Sequence, residues 1–349
     1  MRVIGGFDPE DDLAEDVQTM IRPFAAAVSL SLLVPAVRAL EVDRLYYQVA
    51  QPIQVSLPSL DAGATADLVL LRPDNTIVAR SSIEPAGGLV DLTQEFADLF
   101  DLRTVHYVQL LVDGEATESP LVLQPMTNRP RPTLRMVQRG TQRVPTVEGW
   151  QEPSEAEVAM SGFRIYQEPH VVLDTTMGDI RLAMRPDHAP NTVYNFIDLV
   201  EGGFYTNIPV HRVVSVTASG FPFVIQAGDP TGTGMGGPGY QIDLEPSTLP
   251  HDLGVISMAR EGSDVDTGGS QFFICLSRQG TQFLDGQYTA FGETKEGIDV
   301  VQKIAEVKTD PRTDRPLELP LVESARLVPA PPRTPAPAPE SSEPGDGTP

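Results

Sequence analysis

Residues 171–205 read VVLDTTMGDIRLAMRPDHAPNTVYNFIDLVEGGFY, and their pattern predicts two strands followed by a helix. The first strand, at 171–174, is an apolar run that ends in a turn. In the second strand, at 179–184, Ile180 and Leu182 alternate with polar or small residues, which is typical of a half-buried strand. This stretch therefore predicts a β-hairpin that leads directly into a helix.

The predicted helix begins near Pro190, which suits a first helical turn, and ends at Gly202 and Gly203. Its apolar residues recur at i, i+3, i+4 and i+7 and line one face: Val193, Phe196, Ile197 and Val200. A second helix is predicted at about 297–307, with an apolar face made by Ile298, Val301, Ile304 and Ala305.

Eight short strands are predicted between His170 and Leu327. They lie at 171–174, 179–184, 209–214, 223–227, 254–258, 271–275, 290–292 and 322–327. Their connections are of hairpin length, and a closed barrel leaves no free strand edge. We therefore predict a mainly β fold, an eight-stranded closed antiparallel barrel capped by two helices.

Charge and cysteine content exclude several classes of protein. The 349 residues include 48 Asp and Glu against 25 Lys and Arg, a formal net charge of −23. Binding to a phosphate backbone depends on Lys and Arg displacing counterions, so a nucleic-acid partner is not expected. Cys275 is the only cysteine, which excludes an intrachain disulfide and a Cys-rich zinc site.

The rest of the chain divides into a β domain, a linker and a tail. Short apolar runs between Pro, Gly, Asp and Asn residues predict a small β-sandwich-like domain at 40–127. Residues 128–169 are polar and Pro-rich, carry a basic cluster of five arginines at positions 129, 131, 135, 139 and 143, and show no clear period, so we interpret them as a linker with at most one strand. Residues 328–349, VPAPPRTPAPAPESSEPGDGTP, have the composition of solvated polyproline II and predict a disordered tail.

The amino terminus, at 1–39, combines an acidic extension with a signal-like segment. The apolar run at 24–34 is too short to cross a bilayer, and no run of about 20 apolar residues occurs elsewhere, so no integral membrane span is expected. From Met20 onward, Arg22 precedes this run and a small-residue site follows it at Ala39. If translation starts at Met20, the sequence predicts a periplasmic or secreted protein; otherwise it predicts a cytoplasmic one.

Several separate motifs resemble a single family. They are the run at 174–205, HRVV at 211–214, FVIQAGD at 223–229, GVISMA at 254–259, GSQFFIC at 269–275 and LDGQYTAFG at 284–292. In order and content they resemble the cyclophilin-type peptidyl-prolyl cis-trans isomerases, over residues 170–327 or thereabouts. The resemblance implies an eight-stranded barrel capped by two helices, in agreement with the fold predicted above.

The resemblance also implies a reaction and its residues. An X–Pro amide isomerises slowly because its C–N bond has partial double-bond character. A fixed guanidinium that donates to the nitrogen of the twisted amide favours the transition state without a metal or cofactor, and the resemblance assigns this role to Arg212. It assigns substrate binding to Phe223, Val224, Gln226, Ala259, Arg260, Gln271, Phe273, Phe283, Leu284 and Tyr288.

The chain departs from the family pattern at a few positions. Phe283 stands where many eukaryotic cyclophilins carry Trp and Tyr288 where they carry His, and both residues resemble bacterial members. The loops at 215–222 and 260–268 are longer than usual, and both are expected to flank the substrate groove.

Two functions remain open from the sequence. The first is a prolyl isomerase that assists folding of secreted or periplasmic proteins, with the domain at 40–127 as a docking arm. The second is a catalytically weak or inactive module that binds proline-containing peptides. Both predict proline-containing polypeptide segments as partners, and neither specifies an oligomeric state. A further hypothesis places the Pro-rich tail in the groove of its own chain.

Overall fold

The computed structural model describes residues 40–337, apart from residue 62 and residues 85–87 and 155–158. All of these residues belong to one compact unit. The acidic extension and the signal-like segment lie outside the described residues, as does the tail from residue 338 onward. Within the described range, no helix combines the length and apolarity needed to cross a bilayer.

The amino-terminal part is built from short antiparallel strands. In chain order they are β1 (Glu41–Val42), β2 (Tyr46–Gln48), β3 (Gln54–Leu57), β4 (Ala66–Leu71), β5 (Ile77–Ile83), β6 (Gly88–Asp91), β7 (His106–Val112), β8 (Glu115–Met126), β9 (Arg131–Arg139), β10 (Gln142–Gln151) and β11 (Gly162–Gln167), with one short helix, α1 (Leu92–Glu95), after β6.

Two sheets of this part share one core. One has the order β2-β11-β8-β7-β4-β5 and the other the order β1-β3-β6. Side chains from both sheets, among them Tyr47, Val55, Leu68 and Phe163, form a single buried apolar cluster. Two sheets over a common core are the sandwich-like arrangement that the sequence predicts.

Residues 128–169, which we interpreted as a linker with at most one strand, form three strands. β9 and β10 form a long antiparallel hairpin, from the pair Arg139↔Gln142 to the pair Arg131↔Gln151, and β11 then inserts between β2 and β8. The hairpin is largely exposed on both faces. Because only Pro145 and Val147 are buried, the hairpin lacks the sustained apolar alternation by which a strand is predicted from sequence.

The carboxy-terminal part contains a nine-stranded antiparallel sheet and three helices. Its strands are β12 (Pro169–Thr175), β13 (Gly178–Met184), β14 (Ile208–Pro209), β15 (Arg212–Val214), β16 (Val224–Ala227), β17 (Val255–Met258), β18 (Phe272–Cys275), β19 (Ala290–Glu296) and β20 (Leu321–Pro329). Its helices are α2 (Pro190–Glu201), α3 (Arg278–Thr281) and α4 (Ile298–Ala305). The strand order is β14-β20-β12-β13-β19-β17-β18-β16-β15.

Closure into an eight-stranded barrel is not confirmed. The strand predicted at 209–214 is divided, because β14 pairs with β20 whereas β15 pairs with β16. Only Val210 and His211 separate these two end strands, so the sheet curls back toward itself. Among the described residues, however, no ladder joins β14 to β15.

The helices α2 and α4 match the predicted ones and cover this curled sheet. All four residues predicted on the apolar face of α2 are buried, and Val301 and Ile304 of α4 are buried in the same cluster. Sheet residues such as Leu182 and Ile225 complete that core. The fold is thus mainly β with two amphipathic helices packed against it.

Residues 330–337 are not part of a free tail, contrary to the prediction. The Ala330 N–H donates to the Glu168 carbonyl at 3.0 Å, and the Ala336 N–H donates to the Asn75 carbonyl at 2.9 Å. Residues 330–337 therefore lie against the amino-terminal sheets and not in the groove, contrary to the hypothesis of self-occupancy for this part of the tail. The composition of this segment alone favours a solvated chain, but hydrogen bonds to residues distant in sequence hold the segment in place.

Candidate active site

Arg212 lies in a row of side chains that crosses three neighbouring strands. On β15 it pairs with Gln226 of β16, and Gln226 pairs in turn with Phe273 of β18. Directly paired residues of an antiparallel sheet project to the same face. The structure therefore brings the predicted catalytic arginine, the predicted amide and the predicted aromatic residue onto one face.

Two side chains contact the Arg212 guanidinium. Nη1 donates to Gln226 Oε1 at 3.5 Å, and Nη2 lies 3.5 Å from Asp314 Oδ2. Asp314 is itself tied to β15, because the Val213 N–H donates to its carbonyl at 2.8 Å. The Arg212 side chain stays 40% exposed, so its remaining N–H groups can reach a ligand.

A chain of amides orients Gln226. Its Nε2 donates to Gln271 Oε1 at 3.0 Å, and Gln271 Nε2 donates to the carbonyls of Gly234 and Gly236 at 3.0 and 2.8 Å. Because each carbonyl oxygen accepts and each amide nitrogen donates, the side-chain orientations are mutually consistent. One of the two N–H groups of Gln226 Nε2 is left to donate to a substrate.

An apolar cluster adjoins this polar row. Its buried members are Val224, Leu249, Val255, Phe273, Cys275, Leu284 and Ala290, and partly buried Phe223, Ala259 and Tyr288 pack against them. The ring of Phe273 meets that of Tyr288 edge-on at 5.7 Å. The cluster has the apolar character needed to enclose a proline ring.

The remaining predicted residues lie around this cluster. Phe283 is 58% exposed, and its ring stacks on Phe223 at 5.7 Å. The Arg260 guanidinium lies 4.5 Å from the centre of the Tyr288 ring, and its Nε donates to the Gln287 carbonyl at 3.1 Å. The structure thus brings all the sequence-predicted residues to one region of the sheet.

A buried polar network packs against the ring of Phe273. The His251 ring stacks on Phe273 at 6.1 Å, with Nδ1 3.0 Å from Asp285 Oδ1 and Nε2 2.9 Å from Ser257 Oγ. Burial lowers the pKa of His251, which favours a neutral ring that donates to Asp285 and accepts from Ser257. Ser257 is fully buried, so this Ser-His-Asp arrangement cannot present a nucleophile to substrate.

Asp285 stays ionised in this network. Burial by itself would raise the pKa of its carboxyl group, but hydrogen bonds from Arg278 and His251 lower it to about 2. The lone thiol of Cys275 is inert, because burial raises its pKa to about 12.

The loop at 215–222 leaves Arg212 opposite Gln226, as their register shows. Ser277 Oγ donates to the Pro222 carbonyl at 2.6 Å, and Ser215 Oγ donates to the Ala305 carbonyl at 2.6 Å. Both ends of the loop are therefore anchored, and its exposed Val216 and Phe221 lie between these anchors.

Sequence reasoning missed five residues of the site. Asp314 contacts Arg212, and four others line the apolar cluster: Leu249, Val255, Cys275 and Ala290. Asp314 is 102 positions from Arg212 and lies outside every motif quoted above, so no local signal marks it. Among the described residues, no cluster of three or more His, Cys, Asp or Glu side chains could hold a metal ion.

The comparisons with known proteins assign a family. The model of the family described as cyclophilin type peptidyl-prolyl cis-trans isomerase/CLD matches residues 170–327. A protein of Rhizopus delemar named peptidyl-prolyl cis-trans isomerase-like 1 is 40% identical over 149 residues, 41% of this chain and 84% of the relative. The chain belongs to the cyclophilin-type peptidyl-prolyl cis-trans isomerases. It is an enzyme of that class, and the family predicted from the motifs is confirmed.

Two other similar proteins are a human relative and a protein of known structure. The Homo sapiens protein named peptidyl-prolyl cis-trans isomerase-like 1 is 39% identical over 158 residues, 44% of this chain and 89% of the relative. A crystal structure of a Cryptosporidium parvum cyclophilin type peptidyl-prolyl cis-trans isomerase, obtained in the presence of the dipeptide Ala-Pro, has 30% identity and a TM-score of 0.41, over 45% of this chain and 96% of that one. The bacterial resemblance inferred from Phe283 and Tyr288 stays a prediction.

Proposed function

We propose that this isomerase acts on X–Pro bonds in extended polypeptide segments and that Arg212 is its catalytic residue. The observation that carries the proposal is the row Arg212, Gln226 and Phe273 on one sheet face. This row places a charged donor, a fixed amide and an apolar ring side by side. Those are the groups that a twisted prolyl amide requires.

The role of Arg212 follows from the electronic change at the amide nitrogen. In the planar ground state its lone pair is delocalised into the carbonyl group, so the nitrogen accepts hydrogen bonds poorly. At the twisted transition state the lone pair is localised and can accept from the guanidinium, which donates without losing its proton. Because this hydrogen bond forms only at the transition state, it raises kcat.

The neighbouring residues hold the substrate in register. The free N–H of Gln226 Nε2 donates to a substrate carbonyl, while Phe273, Leu284 and Val224 enclose the proline ring. Because the proline ring and the substrate backbone are held in place, rotation about the prolyl amide bond moves the part of the substrate that precedes the proline. Neither step uses a metal or a cofactor.

The test is isomerisation of a short X–Pro reporter peptide by the full-length protein and its Arg212→Ala and Arg212→Lys variants. We expect Arg212→Ala to lower kcat/KM by about 100-fold or more, as removal of a transition-state donor does. Arg212→Lys should recover only part of that loss, because an ammonium lacks the planar fork. Arg326→Ala, at a half-exposed position of β20, is the matched control and should retain wild-type activity.

Two results would contradict this mechanism. Wild-type activity in a folded Arg212→Ala variant would show that another group stabilises the transition state. Absence of turnover by the folded wild-type protein would support the proline-peptide-binding module instead.

The proposed clients are secreted or periplasmic proteins. Support comes from the signal-like segment that begins at Met20 and ends at Ala39. Amino-terminal sequencing of the natural protein is the test. A mature chain that starts just after Ala39 is expected, and one that starts before Met20 would indicate a cytoplasmic isomerase.

A further inference from the structure

The hairpin of β9 and β10 lies outside the family match, yet it is attached beside the groove. The Val147 N–H donates to Gln287 Oε1 at 2.9 Å, and Gln287 Nε2 donates to the Val147 carbonyl at 2.9 Å. Gln287 precedes Tyr288 in the chain and accepts from Arg260 through its own carbonyl. The base of the hairpin is therefore bound to a residue that adjoins Tyr288 and contacts Arg260, two predicted substrate-binding residues.

Apolar contacts fix the same end of the hairpin. Val147 is buried with Leu244 and Val265, and Trp150 packs against them. Val265 belongs to the longer loop at 260–268, the second segment expected to border the groove. The hairpin base thus contacts both the loop and the Gln287 segment.

Apolar surface continues outward from this base. Leu134 pairs with Val147 and Met136 pairs with Pro145, so all four side chains project to one face. Val147 and Pro145 are buried, whereas Leu134 and Met136 are 46% and 47% exposed. Along one face of the hairpin, a packed contact therefore becomes an open apolar strip.

The hairpin also reverses the charge of the chain. The hairpin at 131–151 contains four arginines and one acidic residue, Glu148, in a chain of net charge −23. Arg129, which precedes the hairpin, is partly buried against Glu245, and Arg135 pairs with Glu148 at 2.7 Å. The other three are exposed, and no carboxylate of the described residues forms an ion pair with them: Arg131, Arg139 and Arg143.

We propose that this hairpin is an accessory docking arm for an acidic, extended segment of the client polypeptide whose X–Pro bond lies in the groove. The inference rests on the proposed function and adds a client preference to it. Arg131 and Arg139 project to the face opposite Leu134 and Met136. A segment that lies extended along the edge of the hairpin presents alternate side chains to the two faces, so its carboxylates meet the arginines and its apolar residues meet Leu134 and Met136. The hairpin holds the client next to the isomerase site, which raises the local concentration of its X–Pro bond there.

An acidic polypeptide fits better than a nucleic acid or an anionic membrane. Three free arginines neutralise few phosphates, while the remainder of the chain repels a polyanion. A client that enters the groove beside Tyr288 needs only a short acidic stretch to reach the hairpin.

The test compares two unstructured peptides of equal length with the same central Ala-Pro bond. One has flanks of alternating Glu and Leu, and the other has Gln in place of every Glu. For each peptide, kcat/KM is measured by NMR exchange with the full-length protein and with a triple variant, Arg131→Glu, Arg139→Glu and Arg143→Glu. The matched control carries the same charge change on other exposed positions, Arg72→Glu, Lys295→Glu and Lys303→Glu.

Fluorescence of Trp150, the only tryptophan, reports whether the hairpin base stays seated in each variant. We expect the wild type to prefer the Glu peptide by about tenfold at low salt, as a few exposed ion pairs allow. The triple variant should lose this preference with unchanged Trp150 emission and unchanged turnover of the Gln peptide. The control variant should keep the preference, and added salt should reduce it.

Failure of the docking-arm proposal can be distinguished from failure of the proposed function. Equal kcat/KM for the two peptides in the wild type overturns the docking arm while isomerase activity stands, whereas no turnover of either peptide overturns the proposed function. A preference that survives in the triple variant overturns the role of the arginines. Binding of single-stranded RNA or anionic vesicles that is lost in the triple variant, without a peptide preference, assigns the hairpin to another partner and overturns the inference.

Discussion

The guanidinium of Arg212 lies between two partners of different origin. Gln226 is its cross-strand neighbour, and the motif FVIQAGD predicts that position. Asp314 belongs to a loop that reaches β15 from the other side, where its carbonyl accepts from Val213. Motif matching therefore identifies Arg212 and Gln226 but not the carboxylate that contacts the guanidinium.

Asp314→Asn is expected to lower kcat about fivefold and to leave KM nearly unchanged. The substitution removes a charged partner worth about 1 kcal/mol at a half-exposed position, while Arg212 itself remains. Steady-state kinetics on the X–Pro reporter separates kcat from KM. Glu318→Gln, at an exposed position nearby, is the control. A change confined to KM would show that Asp314 contacts the substrate and does not position the arginine.

A second prediction concerns His170, whose Nδ1 accepts from Arg181 Nε at 3.1 Å. Burial, with smaller effects of Arg181, Lys295 and Arg333, lowers its pKa from 6.5 to about 4. Between those values the unfolded chain binds the proton and the folded chain does not, so stability is complete above about pH 6.5 and falls toward pH 4.

His170→Gln keeps an acceptor but cannot titrate. We expect its melting temperature to decline less than that of the wild type between pH 7 and pH 4.5, although His211 and His251, whose pKa values burial also lowers, still contribute. Thermal unfolding followed by circular dichroism across this range is the measurement. Identical pH profiles for the two proteins would rule out His170 as a source of acid sensitivity.

At the scale of the element, helix α2 begins without a cap of its own. Ala189 precedes it and offers no side-chain acceptor. Glu245 supplies one from a distant loop: its Oε1 accepts from the Asn191 N–H at 3.2 Å and its Oε2 from the Thr192 N–H at 2.6 Å. A carboxylate at this end also complements the helix dipole. Pro190 and the apolar face predict where the helix lies, but not what satisfies its first N–H groups.

Glu245→Gln should therefore lower the free energy of unfolding by about 2 kcal/mol, since it weakens the cap and removes the charge opposite Arg129. Urea denaturation is the measurement, and Glu261→Gln, which is exposed, is the control. A loss below about 0.5 kcal/mol would mean that solvent replaces the cap.

In the molecule as a whole, Arg333 connects the segment that follows β20 to both domains. The Arg333 guanidinium donates to both Glu168 oxygens, at 2.8 and 2.7 Å, and lies 3.5 Å from the centre of the Tyr107 ring. Its backbone N–H donates to Gln109 Oε1 at 2.9 Å. Glu168 directly precedes β12, so the contact joins the start and the end of the isomerase domain to the amino-terminal sheets.

Arg333→Met is expected to destabilise the protein by about 3 kcal/mol, because Glu168 stays buried without its counter-ion. The double variant Arg333→Met with Glu168→Gln should recover part of the loss, since no unpaired charge remains. Urea denaturation of both variants tests this. If the single variant matches the wild type within about 0.5 kcal/mol, residues 330–337 do not fasten the domains.

The family, the class of reaction and the residues matched by motif can all be predicted from the amino-acid sequence. Helix α2, with its apolar face of Val193, Phe196, Ile197 and Val200, was equally predictable. These features depend on spacing within one element or on short motifs, and such patterns are complete within a few residues of chain.

The contacts that join distant parts of the chain are visible only in the folded molecule. Glu245 caps Thr192 across 53 positions, Asp314 meets Arg212 across 102, and Arg333 meets Glu168 across 165. The hairpin of β9 and β10 likewise gives little signal in the sequence, since only Pro145 and Val147 of its residues are buried. The local sequence shows the apolar period of a strand or helix, but it does not show which distant residue a side chain contacts. A long-range contact depends on how the intervening elements pack.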